Sequence, residues 1–263
     1  MFSTLCYAVL RMILFEYPLH ERTRLFLRLE HCLARLHTLI ESPQAIAHQA
    51  AMQVLLELLE IIAGRGDIKS ELSQELDKQR TNLLPFLQAP GVNTALLQGL
   101  LNDIEHAYGA LVNWQQRPGQ HLRDNEWFNA IKARSTVPGG MCEFDLPNYH
   151  RWLAEPDAQR KADFALWLQP LQPLIQGLTL SLKLLRQTGE PFDALVPKGQ
   201  LQIDIRSKPY NLMRIWIAPE LAAVPEISAS KFVVWVRLMA QSTTLKSALL
   251  ERDVPLQVAL CSV

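Results

Sequence analysis

The spacing of apolar residues changes near residue 190 of this chain. Before that point, leucine and isoleucine recur at steps of three and four, which places them on one face of an α-helix. Beyond it, short segments alternate apolar and polar residues, as half-buried strands do. The change predicts an α+β fold that is mostly α, in which a helical bundle precedes a small antiparallel β-sheet domain at the C-terminal end.

Cap residues and helical spacing give the expected limits of each helix. Asp67 and Asn93 are good N-cap residues for the third and fourth helices, and Asp124 or Asn125 serves the next one. Pro85 stops or kinks the third helix. The predicted helices cover residues 21–41, 43–63, 68–84, 94–111, 126–133, 146–153, 157–169 and 173–187.

Alternating segments predict the strands, and one of them lies far from the others in the sequence. Residues 13–17 are expected to pair with the C-terminal strands and so to join the two ends of the chain. We therefore predict a helical domain over 19–190 and a β-domain made of 13–18 and 191–263, with 1–12 as an N-terminal extension or a misassigned start. The other predicted strands cover residues 201–206, 212–217, 231–239 and 256–260.

The predicted strand over 231–239 has two chemically different faces, because side chains alternate along a strand. The outward set is Lys231, Val233, Trp235 and Arg237, and the inward set is Phe232, Val234, Val236 and Leu238. Tryptophan and arginine are frequent in binding hot spots. The outward row is therefore either a solvated sheet face or a recognition surface.

A loop rich in proline and glycine separates the long helical part from the last helices. Pro138, Gly139 and Gly140 end any helix, and the glycine pair permits positive φ angles. The next four residues predict a short extended segment. Asp145 as a cap and Pro147 in the first turn then predict the start of another helix.

This loop carries a pattern typical of a known family. The run Ser-x-x-Pro-Gly-Gly-x-Cys-x-Phe-Asp-Leu-Pro-x-x-His over 135–150 resembles the ZapD family of bacterial division proteins. The opening Ile13-Leu-Phe-Glu-Tyr-Pro-Leu19 matches as well, and so do blocks at 66–77 and 89–92. The resemblance extends from about residue 13 through the last strand, although beyond residue 190 it depends on the strand pattern alone.

The resemblance implies a partner and a mode of action. Members of this family are cytoplasmic homodimers that dimerise mainly through helices and bind the tubulin-like GTPase FtsZ at the mid-cell division site. The implied contact is the conserved C-terminal tail of FtsZ, and two such contacts in a dimer cross-link and bundle FtsZ filaments. This activity promotes Z-ring assembly and septum formation. The tail mixes acidic and apolar residues, so a basic pocket with aromatic walls is its physical complement.

We assign six basic residues to this tail-binding pocket. They are Arg28, Arg65, Arg123, His150, Lys231 and Arg237. Arg28, Arg65 and His150 lie in the matching motifs, whereas the other three depend on a looser alignment and on the strand-face pattern. Glu126 stands at a neighbouring position that is basic in the family, so this edge of the pocket differs here.

Composition argues against two other kinds of partner. The 26 basic and 26 acidic side chains give a net charge of zero, whereas a mainly electrostatic nucleic-acid binder carries a basic excess. The basic strand face keeps a nucleic-acid-binding module as the alternative function. Because the sequence has no run of about 20 apolar residues, we expect no membrane insertion.

Enzyme and metal signatures are missing from the sequence. GxxxxGK[ST], GxGxxG after a strand and HExxH are all absent, and no two of the four cysteines have a CxxC spacing. We expect no cofactor and no metal. Cys142 and His150 form the one candidate nucleophile and base, which leaves a Cys/His enzyme as a weaker alternative to a protein that is not an enzyme.

Overall fold

The structure is a computed structural model that describes residues 12–64, 67–206, 208–244 and 246–263. The chain divides into two compact units. The helical unit contains residues 26–182, and the β-unit contains residues 12–25 and 183–263. The predicted limits of the two domains, at 18/19 and 190/191, stay predictions.

The helices agree closely with the sequence expectation, because caps and spacing are local signals. Asp67 Oδ1 accepts a hydrogen bond from Ser70 N, and Asn93 Oδ1 accepts one from Leu96 N. Asn125, rather than Asp124, caps the helix that follows it. The helices are α1 Glu21–Glu41, α2 Ala45–Ala63, α3 Ile68–Leu83, α4 Thr94–Asn113, α5 Gln120–Arg123, α6 Glu126–Ser135, α7 Pro147–Leu153, α8 Asp157–Leu168 and α9 Gln172–Gln187.

Helix α2 is buried along much of its length. Its apolar positions are buried on several sides, among them Leu55, Leu58 and Ile62. Within the described ranges it is also the one helix whose length and composition suit a membrane crossing, and half of it is buried inside the protein. A buried core helix has the same composition, so this likeness is weak support for a membrane contact.

An aromatic cluster holds helices α6, α7 and α8 together. Its rings pack edge to face or tilted, with centroids 4.9–6.0 Å apart, and two of them are stacked. The cluster contains Trp127, Phe128, Tyr149, Trp152, Phe164 and Trp167. Such pairs stabilise a core beyond the area that they bury. The cluster therefore fixes the two helices that flank the loop joining α6 to α7 relative to each other.

That loop consists of consecutive turns, so the predicted extended segment over 141–144 is wrong. The Cys142 carbonyl accepts from the backbone N–H of Asp145 and of Leu146, at 3.2 and 3.0 Å. Phe144 is 83% exposed and has no buried face that would favour a strand. The predicted cap is also wrong, because the N-cap residue of α7 is Leu146 and the Asp145 carboxylate accepts from Cys142 Sγ instead.

The two glycines of the loop are required for different reasons. Gly139 has φ +73°, whereas a Cβ on Gly140 would lie 2.5 Å from the Arg134 carbonyl oxygen and 2.8 Å from Val137 Cβ.

We expect Gly140→Ala to lower the free energy of unfolding by about 1–3 kcal/mol, because the backbone around Gly140 and Arg134 must move to make room for the new methyl group. Urea denaturation measures the change. Gly99→Ala, in open space on α4, is the control and should be neutral or stabilising; an equal effect of both substitutions would contradict the steric argument.

The strands form two antiparallel sheets rather than the single sheet that we predicted. One sheet has the order β1-β4-β7-β2 and the other β3-β6-β5. The pairing of the N-terminal strand with a C-terminal one is confirmed, since β1 runs antiparallel to β4 with Phe15 opposite Ile215. The strands are β1 Ile13–Pro18, β2 Phe192–Val196, β3 Gln200–Asp204, β4 Leu212–Ile217, β5 Ala223–Ala229, β6 Val233–Ala240 and β7 Val254–Cys261.

Strands β2 and β5 were not predicted, and both lie at sheet edges. β5 contains Pro225, which lacks the N–H that a central strand needs and so obscures the pattern. β2 is short and mostly exposed, so its apolar residues do not alternate in the usual way. The two sheets nevertheless share one core, which includes Val196, Ile215 and Val236.

One ion-pair group links three elements of the β-unit. Glu16 on β1 accepts from Arg186 Nε and Nη2 at 2.9 and 2.7 Å, and from Arg214 Nε of β4 at 2.9 Å. The three side chains are only 17–23% exposed. Glu16 belongs to the opening motif of the sequence, and these contacts give it a structural role.

Candidate functional site

The six assigned basic residues are distributed over both units. Arg28, Arg123 and His150 lie in the helical unit, and Lys231 and Arg237 lie in the β-unit. Arg65 lies outside the described residues. The geometry below is therefore that of each unit by itself.

Arg28 is an exposed arginine on a rigid helix. Its side chain is exposed on α1, although Leu25 and Leu29 of the same helix are buried. In the described part of the chain it has no hydrogen-bond or ion-pair partner. By contrast, Arg35 of the same helix is paired with Glu57 at 3.2 Å. A ligand can therefore bind Arg28 without breaking any hydrogen bond or ion pair that the structure describes.

Arg123 lines a cavity of about 470 Å³ in the helical unit. The cavity lies between the end of α2, the first turn of α3 and the segment 115–123, and its charged lining residues are Asp67, Lys69, Arg117 and Arg123. Three of these four are basic. We call it the cationic cavity.

The hydrogen bonds of the cationic cavity leave donors for an anion. Lys69 Nζ donates to the Trp114 carbonyl at 2.7 Å, and Arg123 Nη2 donates to the Pro118 carbonyl at 2.7 Å. Arg123 Nη1 is buried without a hydrogen-bond partner. Asp67 is occupied as the cap of α3, whose N-terminus adds a partial positive charge. A carboxylate is the kind of ligand that these groups favour.

Arg117 lines the cationic cavity but was not among the residues assigned from the sequence. Arg117, Arg123 and the distant Lys69 come together because the segment 115–123 folds back over the start of α3. Two arginines six residues apart around a Pro-Gly turn were the available signal. No signal in the sequence predicts that Lys69 lies near these arginines, since their proximity arises from the packing of α3 against α4.

His150 is exposed on α7, and its partner is an acid rather than the predicted thiol. Its Nε2 lies 3.6 Å from Glu143 Oε2, and Cys142 Sγ donates to Asp145 Oδ2 at 3.3 Å. A thiol that donates to a carboxylate is not activated by an imidazole base, which removes the support for a Cys/His enzyme. Within the described ranges no group of three or more His, Cys, Asp or Glu residues is arranged to hold a metal ion.

The outward face of β6 agrees with the prediction except at its start. Val234, Val236 and Leu238 are buried, whereas Trp235 and Arg237 are exposed. The inward assignment of Phe232 is wrong, because this residue is 52% exposed. The strand begins only at Val233, after a turn closed by the hydrogen bond from Ser230 N to the Val233 carbonyl, and Phe232 and Lys231 lie in that turn.

This sheet face has mixed charge, so it is not a basic surface. Arg237 lies opposite Glu226 of β5, and Lys231 is six residues away, roughly 20 Å along an extended chain. Asp204 of β3 is paired with Arg206, whose hydrogen bonds lower the pKa of the Asp204 carboxyl to about 2. This mixed charge weakens the argument for the nucleic-acid alternative, because affinity for a phosphate backbone rises with the number of phosphates that lysine and arginine neutralise.

Comparison with known proteins gives the class to which this fold and these surfaces belong. Residues 27–237 match the family model described as "ZapD: Cell division protein". The chain is also 40% identical over 251 residues to Cell division protein ZapD of Janthinobacterium sp. (strain Marseille), covering 95% of this chain and the whole of that protein. The class is therefore that of cell division proteins, in which no catalytic activity is indicated. The chain belongs to the ZapD family.

Proposed function

We propose that this protein binds the C-terminal tail of FtsZ and, as a homodimer, cross-links FtsZ filaments into bundles. The action takes place in the cytoplasm at mid-cell, where it promotes Z-ring assembly and septum formation. The observation that carries the proposal is the cationic cavity beside Arg123, in a chain whose family match spans all six assigned residues.

The chemistry of the cavity supports an acidic peptide as the ligand. A carboxylate bound by lysine and arginine donors forms charge-assisted hydrogen bonds, which are about twice as strong as neutral ones. The buried Arg123 Nη1 would gain a partner on binding. Arg28 adds a second cationic contact from a rigid helix, which limits the conformational entropy that binding costs.

A homodimer explains bundling without strong individual contacts. Two-fold symmetry gives two identical tail sites that face different filaments. Once one site is bound, the second meets neighbouring tails at high effective concentration. Each site can therefore bind with a dissociation constant of about 1 μM, equivalent to about −8 kcal/mol, and the bundle still holds.

Charge reversal at Arg28 tests the assignment. We expect Arg28→Glu to weaken binding of a peptide of the conserved FtsZ C-terminus by about 2–5 kcal/mol, because in the proposed complex repulsion would replace an ion pair that binding removes from water. Isothermal titration calorimetry at two salt concentrations, beside a scrambled peptide, measures the effect. Wild-type binding should weaken as salt rises.

Arg35→Glu is the matched control, because Arg35 lies on the same helix and is already paired with Glu57. It should change peptide affinity less than about two-fold. If Arg28→Glu binds like the wild type while its circular dichroism is unchanged, Arg28 does not belong to the site. If the wild type does not bind the peptide at high micromolar concentration, the tail is not the contact.

A further inference from the structure

A second cavity of the helical unit has the opposite charge. It has a volume of about 570 Å³ and lies between α6 and the start of α7. Its apolar walls include Trp127, Ile131 and Pro147, and its charged residues are Glu126 and Asp145. None of its lining residues in the described chain is basic. This size is within the usual range of ligand pockets, roughly 300–1,000 Å³.

The two carboxylates of this acidic cavity differ in availability. Asp145 accepts from Cys142 Sγ, and its other oxygen lies 3.7 Å from Arg134 Nη1. Glu126 is exposed in the first turn of α6, and in the described part of the chain it has no partner. Since this glutamate has no described ion-pair partner, the cavity favours a positively charged group.

A buried phenol supplies an independent indication of a ligand. Tyr149 lines the cavity and is only 1% exposed, yet its hydroxyl group has no hydrogen-bond partner. Burial raises the pKa of Tyr149, so the hydroxyl stays neutral. A buried polar group without a partner is rare in folded proteins, and a bound N–H donor would satisfy this one.

We propose that the acidic cavity is a pocket for an arginine side chain of a partner peptide. The methylene stem would pack against the apolar walls, as long basic side chains commonly do. The planar guanidinium suits a site that combines the indole of Trp127 with the carboxylate of Glu126, because it both stacks and forms ion pairs. The proposal goes beyond the function given above, since the ligand has the opposite charge to that of the cationic cavity.

The test uses small probes, so that its outcome does not depend on FtsZ. N-acetyl-arginine amide is titrated into the full chain beside N-acetyl-citrulline amide, which has nearly the same shape and no charge. The indole N–H signal of Trp127, assigned with Trp127→Phe, reports binding by NMR. We expect saturable shifts with arginine at millimolar concentrations and affinity at least about five-fold lower for citrulline.

Two substitutions locate the binding group. Glu126→Gln should weaken arginine binding about five-fold, whereas Glu143→Gln, an exposed glutamate that does not line the cavity, should leave it unchanged. Tyr149→Phe keeps the ring and should weaken binding about two- to ten-fold. Equal shifts with arginine and citrulline, an unchanged affinity in Glu126→Gln, or no saturation at tens of millimolar would each overturn the proposal.

Discussion

Replacing Arg160 with methionine is expected to lower the free energy of unfolding by about 3–5 kcal/mol. Arg160 is only 5% exposed, and its guanidinium is surrounded by acceptors. It donates to His48 Nδ1 at 2.8 Å, to the Pro43 carbonyl at 3.0 Å and to the Leu153 carbonyl at 3.1 Å, and also to the Glu155 carbonyl. Methionine would retain much of the stem packing but leave all four acceptors without this donor.

The imidazole of His48 extends this network into the core. Because Arg160 Nε donates to Nδ1, the proton of the neutral ring is on Nε2, which is 3.0 Å from the Ile40 carbonyl and donates to it. The arginine thus connects the loop between α1 and α2 to the segment between α7 and α8. Its loss removes several buried hydrogen bonds at once, which is why we expect a large effect.

Urea denaturation followed by circular dichroism measures the loss. Arg151→Met is the matched control, because Arg151 is 70% exposed and its partner Glu155, four residues further on, lies just beyond the end of α7. That substitution should change stability by less than about 1 kcal/mol. If Arg160→Met stays within that same limit, the carbonyl groups have found other partners and the network is not a major stabilising element.

The second large effect is expected in the β-unit, from Glu16→Gln. The substitution leaves Arg186 and Arg214 side by side without the carboxylate that both contact. Removing one member of a buried ion pair costs about 3–5 kcal/mol, and the partial exposure of this group reduces the expectation to about 2–4 kcal/mol. The loss of stability should be concentrated in β1 and β4, which Glu16 and Arg214 join.

Hydrogen exchange resolves this local effect, because the two units need not unfold together. Backbone amides of β1 and β4 should lose protection in Glu16→Gln, while those of α2 keep it. Glu226→Gln, an exposed substitution on β5, should alter neither set. Uniform loss of protection in both units would contradict a role for Glu16 confined to the β-unit.

Local signals in the sequence were sufficient for the eight predicted helices but missed the four-residue α5, and strand pairing was not local. Asp67 and Asn93 act as caps within three residues of the amides that they bind, so the sequence shows them directly. The assignment of strands to two sheets depends on partners up to about 200 residues away, and Pro225 concealed an edge strand. Asp145 failed as a cap because a thiol and a nearby arginine compete for its carboxylate.

The candidate site was predictable residue by residue but not as a surface. The sequence placed Arg28 in a matching motif, but only the fold shows that Arg28 is exposed, that Glu57 engages Arg35 and that nothing described engages Arg28. Likewise, Arg123 was assigned to the site, while its neighbours Lys69 and Arg117 depend on packing between distant segments. The register between strands also has to be known before one can tell which charge faces a strand residue, as Glu226 faces Arg237.

The pairing of β1 with β4 has a consequence for synthesis of the chain on the ribosome. Pro18 at the end of β1 is paired with Leu212 at the start of β4, so almost 200 residues must be added before the first strand finds its partner. At about 5–20 residues per second, β1 waits about 10–40 s, whereas the helical unit is complete within that time. During this delay Ile13, Leu14 and Phe15 form an unpaired apolar segment, which exposes the nascent chain to chaperones and to aggregation.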